Sequence, residues 1–402
     1  MTEPSSSQPP QKEKSLLSVF TKKSNDKSGS RNTKTKTPHS NKFDDEPNFC
    51  ILPLVQVTPD QKKINMPQIK YLCSKGLDSC PPEDRAIAWL VLSHILPESP
   101  EDWQATRSTT ISQYKDYVEM LNMKNFEDVI VPCNSDTIDF PPADNPDLLN
   151  LIHVDVLRTP HHIRFLPFPD NSMEVHSEEE ILMPFHNQMR RIERILYVFA
   201  SLNRTVSYLQ GFNELATVLY YAFSMALPYF SNDLNEMEAF VFAAFQALLG
   251  STKLSELYTT QDRSSLIHAR MNEFMRILER HNPNAAKIIH GHQIHPLCFC
   301  FRWMNLLFAQ EYLMPALTLI WDALFSHFDE LVDYAGYIAC AHVKMIESGI
   351  DAEDYVKTLT TLQKKEVENV ISLLAHAKRY WDEDHKEKIS IFNKLKQMID
   401  NV

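Results

Sequence analysis

Seven glycines in 402 residues, with no two closer together than six positions, set the tightest limit on what this chain can build. Phosphate loops of the G-x-x-x-x-G-K-[ST] kind and dinucleotide turns of the G-x-G-x-x-G kind need paired glycines, so that backbone can come close to a phosphate. Neither can form here, and any nucleotide has to be brought by a partner. What recurs along the chain is apolar residues at helical spacing, cut into lengths by prolines, with no convincing strand alternation. The expected fold is all-α.

The ends of the sequence differ from its middle. Residues 1–47 are rich in Ser, Thr, Lys, Asn and Pro, have little to bury, and are expected to form a disordered tail. Residues 1–43 hold nine Lys/Arg against three Asp/Glu, so that the remainder carries a net −18 of the total −12. An acidic body excludes nucleic acid as its main partner. The basic patch Lys14 to Lys23 surrounds an apolar centre and is able to touch an anionic membrane, although a solvated tail is the preferred reading. The seven cysteines are odd in number and scattered, with no C-x-x-C, as for reduced thiols in a cytoplasmic protein. No apolar run reaches the length of a membrane span.

From residue 48 the segment to 66 is broken by Pro53, Pro59 and Pro67 and reads as extended. Asp84 is placed to cap a helix that Pro97 ends, with Arg85 and Trp89 in it. A second helix is expected over Ser108 to Leu121, then a proline-rich loop over 131–147 and a short helix over Leu148 to Val154. That helix must end by Thr159, because Pro160 follows. Met183 to Asn203 reads as amphipathic, with Ile192, Ile195, Leu196 and Phe199 inside and Arg190, Arg191, Glu193 and Arg194 outside. The next helix is expected from Ser207, with Gln210 and Gly211 in its first turn. Its polar face holds Gln210, Asn213, Glu214 and Thr217, and Gly211 would let another backbone approach. Further helices are expected over Met237 to Leu249 with Gly250 as C-cap, Ser264 to His281, Leu331 to Met345, Leu373 to Trp381 and Lys386 to Met398.

Two short patterns lie 52 residues apart at their Arg and Gln. The first is Ile152-x-x-Asp155-x-x-Arg158-Thr159, the second Tyr208-x-Gln210-Gly211-x-Asn213. Spacing alone makes Arg158 a surface residue paired with Asp155 at i, i+3, worth a few tenths of a kcal/mol. Together, however, the patterns resemble the paired signature of the TBC domain, the helical domain of GTPase-activating proteins for Rab GTPases. The resemblance extends to Arg85 and Trp89, to Phe299-x-x-Arg302-Trp303, and to the pair Trp321-Asp322, and is nearest the small single-domain type-13 branch. It departs at Phe212, where the family often has Met, and in an insertion over about 167–183.

The resemblance implies a TBC domain over 48–400, made of an N-terminal catalytic subdomain at about 67–250 and a C-terminal helical subdomain at about 251–400. It implies that Arg158 and Gln210 enter a Rab active site. Asp155, Thr159, Tyr208, Gly211 and Asn213 would organise that site or touch the partner, while Arg85, Trp89, Arg302, Trp303, Trp321 and Asp322 would serve the structure. The chain would have no cofactor of its own, the Rab in its GTP form bringing GTP and Mg, and would act as a monomer in the cytoplasm or recruited peripherally to endomembranes. A non-catalytic Rab-binding adaptor of the same fold is the alternative. His290, His292, His295, Cys298 and Cys300 have zinc-ligand chemistry but not the spacing of a standard structural site. No G-x-S-x-G pattern supports a serine hydrolase.

Overall fold

The structure, a computed structural model, describes residues 51–55, 62–132, 134–140, 143–256 and 263–400, with the side chains of 387–400 outside that description. Every regular element among the described residues is helical. In chain order the α-helices are α1 Leu52–Val55, α2 Met66–Cys73, α3 Pro82–Leu92, α4 Trp103–Met120, α5 Pro146–Leu157, α6 Pro160–Ile163, α7 His186–Leu202, α8 Phe212–Met225 and α9 Leu234–Ser251. After them come α10 Arg263–His281, α11 Pro283–Gly291, α12 Cys300–Asn305, α13 Ala316–Phe325, α14 Leu331–Ile346, α15 Tyr355–Lys364 and α16 Val370–Asp400. The expected disordered tail at 1–47 lies outside the described residues. No helix among those described is long and apolar enough to cross a membrane.

Two helices with almost no exposed face organise the packing. Every residue of α8 from Phe212 to Ser224 is buried, and α3, α5, α6, α7, α9 and α13 pack around it. Helix α14 is buried nearly all round, and α10, α12, α13, α15 and α16 pack against it. A helix so enclosed has to find partners inside for any polar residues it carries.

Helix α13 packs against both groups, and its polar link to α3 is Asp322. Its fully buried carboxylate accepts hydrogen bonds from Arg85 Nε at 2.9 Å, Arg85 Nη2 at 3.1 Å, Trp89 Nε1 at 2.8 Å and the backbone N–H of Leu77 at 2.8 Å. Burial raises its pKa above the usual carboxylate value and the Arg85 guanidinium opposes the rise. Trp321 beside it donates to the Leu307 carbonyl at 3.0 Å, and Trp89 stacks on Phe325 at 4.7 Å between ring centroids. Trp303 is buried against His342 and Phe299, whereas Arg302 is half exposed and pairs with Glu311 at 2.7 Å. The residues assigned to structure therefore hold separated stretches of chain together.

Several boundaries differ from those expected. The 48–66 segment is not extended throughout, since Leu52–Val55 makes a helical turn. Asp84 is not a cap: Pro81 takes that position, and the buried Asp84 carboxylate accepts the backbone N–H of Ile51. Gly250 lies inside α9, which continues to Ser251 with Thr252 as cap. The two C-terminal helices are one, because the polar run after Trp381 contains no Pro or Gly to break it. Turns of helix at Met66–Cys73, Pro160–Ile163, Pro283–Gly291 and Tyr355–Lys364 were not read from the pattern.

The largest correction concerns α7. Arg190, Arg191, Glu193 and Arg194 are buried, not solvent-facing. Glu238 on α9 accepts from Arg191 Nη1 at 2.6 Å, from Arg194 Nε at 2.7 Å and Nη2 at 2.6 Å, and from Tyr114 Oη at 2.7 Å. Arg194 also pairs with Glu127. Despite its burial, these guanidinium partners hold the Glu238 carboxyl below its usual range. On the other side of α7, Glu193 accepts from Arg190 at 2.7 Å and meets His153 Nδ1 of α5 at 2.8 Å. Charges can be enclosed when each is paired and hydrogen-bonded. Apart from the Arg190–Glu193 pair, the partners named for these α7 charges come from 37 to 71 residues away, as with Arg190–His153 and Arg194–Met123, and a local pattern does not contain them.

Candidate functional site

The site grows from the C-terminal end of α5. Asn145 caps this helix by accepting the Leu148 N–H, and Pro146 occupies the first turn, where its missing N–H costs nothing. Ile152, Asp155 and Val156 face inward, so the next residue on the outer face at the helix end is Arg158. Arg158 is the C-cap, and its backbone N–H reaches the Asp155 carbonyl. Its side chain is 69% exposed and its Nη1 stands 3.7 Å from Asp155 Oδ1. The i, i+3 pair read from spacing exists, but it is long and solvent-screened and leaves the guanidinium free to reach elsewhere.

The second motif is not the first turn of a helix. Ser207 has φ +55° and Gly211 φ +104°, two left-handed residues that keep the chain irregular until α8 starts at Phe212. Gln210 sits in this turn, exposed, with no side-chain hydrogen bond among the described residues. Gly211 serves the protein's own interior. The positive φ favours glycine whatever the space, and a Cβ there would lie 2.6 Å from Leu306 Cδ2, which would have to shift.

Between the two exposed side chains runs a buried hydrogen-bond network. Tyr208 Oη donates to Asp155 Oδ2 at 2.9 Å and to Asn213 Oδ1 at 3.3 Å. Asn213 Nδ2 donates to Thr159 Oγ1 at 2.8 Å and to the Asp155 carbonyl at 3.1 Å, while its Oδ1 accepts the Gly211 N–H at 3.1 Å. Thr159 closes the loop by donating to the Asp155 carbonyl at 3.0 Å. Burial raises the Asp155 pKa, opposed by the Tyr208 hydrogen bond and by Arg158, and burial together with Asp155 raises that of Tyr208. Asp155, Thr159, Tyr208, Gly211 and Asn213 are thus brought together as interior supports, and Arg158 and Gln210 are the members left at the surface.

The polar face expected on α8 is interior as well. Asn213, Glu214 and Thr217 are all buried. Glu214 accepts from Gln310 Nε2 at 3.0 Å and lies beside His161 and His162, and His162 Nε2 lies 2.6 Å from the Ala309 carbonyl. His161, His162, Glu214 and Gln310 were missed as neighbours of the site. The only available signal was the short offset of the first three from Arg158 and Gln210.

The histidines with zinc-like chemistry do not assemble. His290 pairs with Glu279 at 2.8 Å, His292 meets the Asp351 carbonyl at 2.7 Å, and His295 accepts the Leu297 N–H at 3.2 Å. Among the described residues the side chains close enough to share a metal ion are His161, His162 and Glu214.

Comparison with known proteins bears on the family and the fold. The family described as the Rab-GTPase-TBC domain matches residues 85–350. The chain is similar to the human protein TBC1 domain family member 13, at 30% identity over 191 residues, covering 48% of this chain and 47% of that protein. It is also similar to human TBC1 domain family member 22B, at 23% identity over 295 residues, 70% of this chain and 51% of the relative. The chain therefore spans about half the length of the curated relatives it matches. In fold it is similar to the crystal structure of the Ypt/Rab-GAP domain of Gyp1p, with a TM-score of 0.60 at 18% identity, covering 82% of this chain and 97% of that one.

Proposed function

The chain belongs to the Rab-GTPase-TBC domain family, and on that premise we propose that it is a GTPase-activating protein for a Rab-family small GTPase, regulating vesicle trafficking by shortening the life of the GTP form. The observation that carries this reading is the contrast within one network. Five residues of the two motifs are buried and mutually bonded, and the two left exposed are an arginine and a glutamine.

A small GTPase hydrolyses GTP slowly because charge developing on the phosphoryl oxygens is under-stabilised and the attacking water is loosely held. Arg158 would supply positive charge through a planar fork able to meet two oxygens, and Gln210 would orient the water through its amide. Neither residue needs to titrate. The network beneath them fixes the segments that carry them, which reduces the ordering cost at the moment of reaction. GTP and Mg would arrive bound to the Rab.

The test is phosphate release from a panel of GTP-loaded Rabs, comparing the wild-type chain with Arg158→Ala, Arg158→Lys and Gln210→Ala. Acceleration of one or a few Rabs by wild type is expected, with a loss of about 10³–10⁵-fold for Arg158→Ala. Lysine should not rescue, since it lacks the bidentate fork. Near wild-type stimulation by Arg158→Ala would refute the assignment. Binding of GTP-form Rabs without acceleration of any would replace it with the adaptor reading.

A further inference from the structure

His161 and His162 follow Arg158 by three and four residues on α6, and Glu214 follows Gln210 by four on α8. The side chains converge from the two segments. His161 Nε2 lies 3.2 Å, and His162 Nε2 3.6 Å, from the same atom, Glu214 Oε2. One donor atom from each of the three residues falls within 4.8 Å of the others. Glu214 is only 3% exposed, yet its Oε2 has no hydrogen-bond partner, and neither has His161 Nε2. Two buried polar atoms in near contact but without a hydrogen bond between them leave an acceptor unsatisfied, at a cost in stability.

A shared cation removes that cost. Ligands bound at about 2.0–2.1 Å to a tetrahedral zinc ion stand about 3.3 Å from one another, and the separations of 3.2 and 3.6 Å bracket that edge. An outer group orients the carboxylate as such groups orient metal ligands, since Gln310 Nε2 holds Glu214 Oε1 at 3.0 Å. The His161 side chain is 31% exposed and opens the cluster to solvent, giving an ion a way in and a water the fourth position.

We propose that His161, His162 and Glu214 form a site for one divalent transition-metal ion of the zinc class, which ties the segment bearing Arg158 to the segment bearing Gln210. Binding at His162 Nε2 moves its ring proton to Nδ1, which has no hydrogen-bond partner, and gives up the bond to the Ala309 carbonyl. The proposal stands whether or not the chain acts on a GTPase, because its readout is the ion.

The experiment titrates zinc into the metal-free full chain against a chromophoric chelator, with Tm measured with and without zinc. Wild type should take up one equivalent tightly and gain Tm. His161→Ala and the near-isosteric Glu214→Gln, which keeps the Gln310 contact, should each lose the tight equivalent and the Tm gain. The double variant His292→Ala/His295→Ala should keep them. No stoichiometric uptake by wild type would overturn the proposal. So would uptake that survives in Glu214→Gln, or that disappears in His292→Ala/His295→Ala. Should His161→Ala not fold, Glu214→Gln decides alone.

Discussion

The Tyr208 hydroxyl donates to Asp155 Oδ2 at 2.9 Å, joining the residue two before Gln210 to the residue three before Arg158 across 53 positions of sequence. The two exposed side chains of the site are thereby referred to a common buried bond, and neither segment can shift without breaking it.

Tyr208→Phe removes that donor and leaves a buried carboxylate oxygen short of a partner. The expected loss is about 1–3 kcal/mol of folding stability, read as a lower denaturation midpoint in urea. Stimulation of GTP hydrolysis should fall in the same variant without vanishing, because Arg158 and Gln210 are still present. An unchanged midpoint would show that water replaces the hydroxyl at no cost.

Gly211 and Gly250 should respond to alanine with opposite signs. Gly211 has φ +104° and a Cβ there would meet Leu306 Cδ2 at 2.6 Å, so Gly211→Ala should destabilise by about 1–3 kcal/mol. Gly250 is inside α9 with nothing within 4 Å of an added Cβ. There alanine relieves the unfolded-state entropy and should stabilise by about 0.4–1 kcal/mol. Thermal melts of the two variants beside wild type check the pair.

Glu238→Gln removes the negative charge that Arg191 and Arg194 share in the interior. Breaking one side of a buried ionic cluster leaves cations uncompensated, at a cost of about 3–5 kcal/mol. Chemical denaturation should show a loss of that size. Arg302→Gln removes a half-exposed cation from a single carboxylate, Glu311, and should lose less than Glu238→Gln does.

Stability should fall with acid before the carboxylates titrate. Burial lowers His327 to about 4 and His342 to about 3, against 6.5 for the free side chain. Below 6.5 the unfolded chain takes up protons that the folded one refuses, so the stabilisation is complete above pH 6.5 and lost as pH falls toward 4 and 3. Each histidine adds a slope of up to about 1.4 kcal/mol per pH unit. Calorimetric melts between pH 7.5 and 5 should show the decline, and His342→Gln should flatten it.

The all-helical class was legible because helical periodicity and proline punctuation are local, and with so few glycines phosphate-binding loops had no place. The end of α5 at Arg158 was legible for the same reason, since Pro160 forbids helix just before it. The roles implied for Asp322, Arg85 and Trp89 came from resemblance, and the structure gives them a common carboxylate. Side-chain orientation was not legible in two places. The charges of α7 read as solvent-facing, and the polar residues of α8 as an outer face, because a helical pattern shows which residues share a side but not what covers that side. Glu127, Glu238 and His153 cover the first, and Thr159, His162 and Gln310 the second, from elements distant in sequence. Sequence determined where the chain turns and which residue types stand together. Only tertiary packing decided which polar groups lie buried and bonded, leaving Arg158 and Gln210 exposed, because desolvation is settled by neighbours that no local window contains.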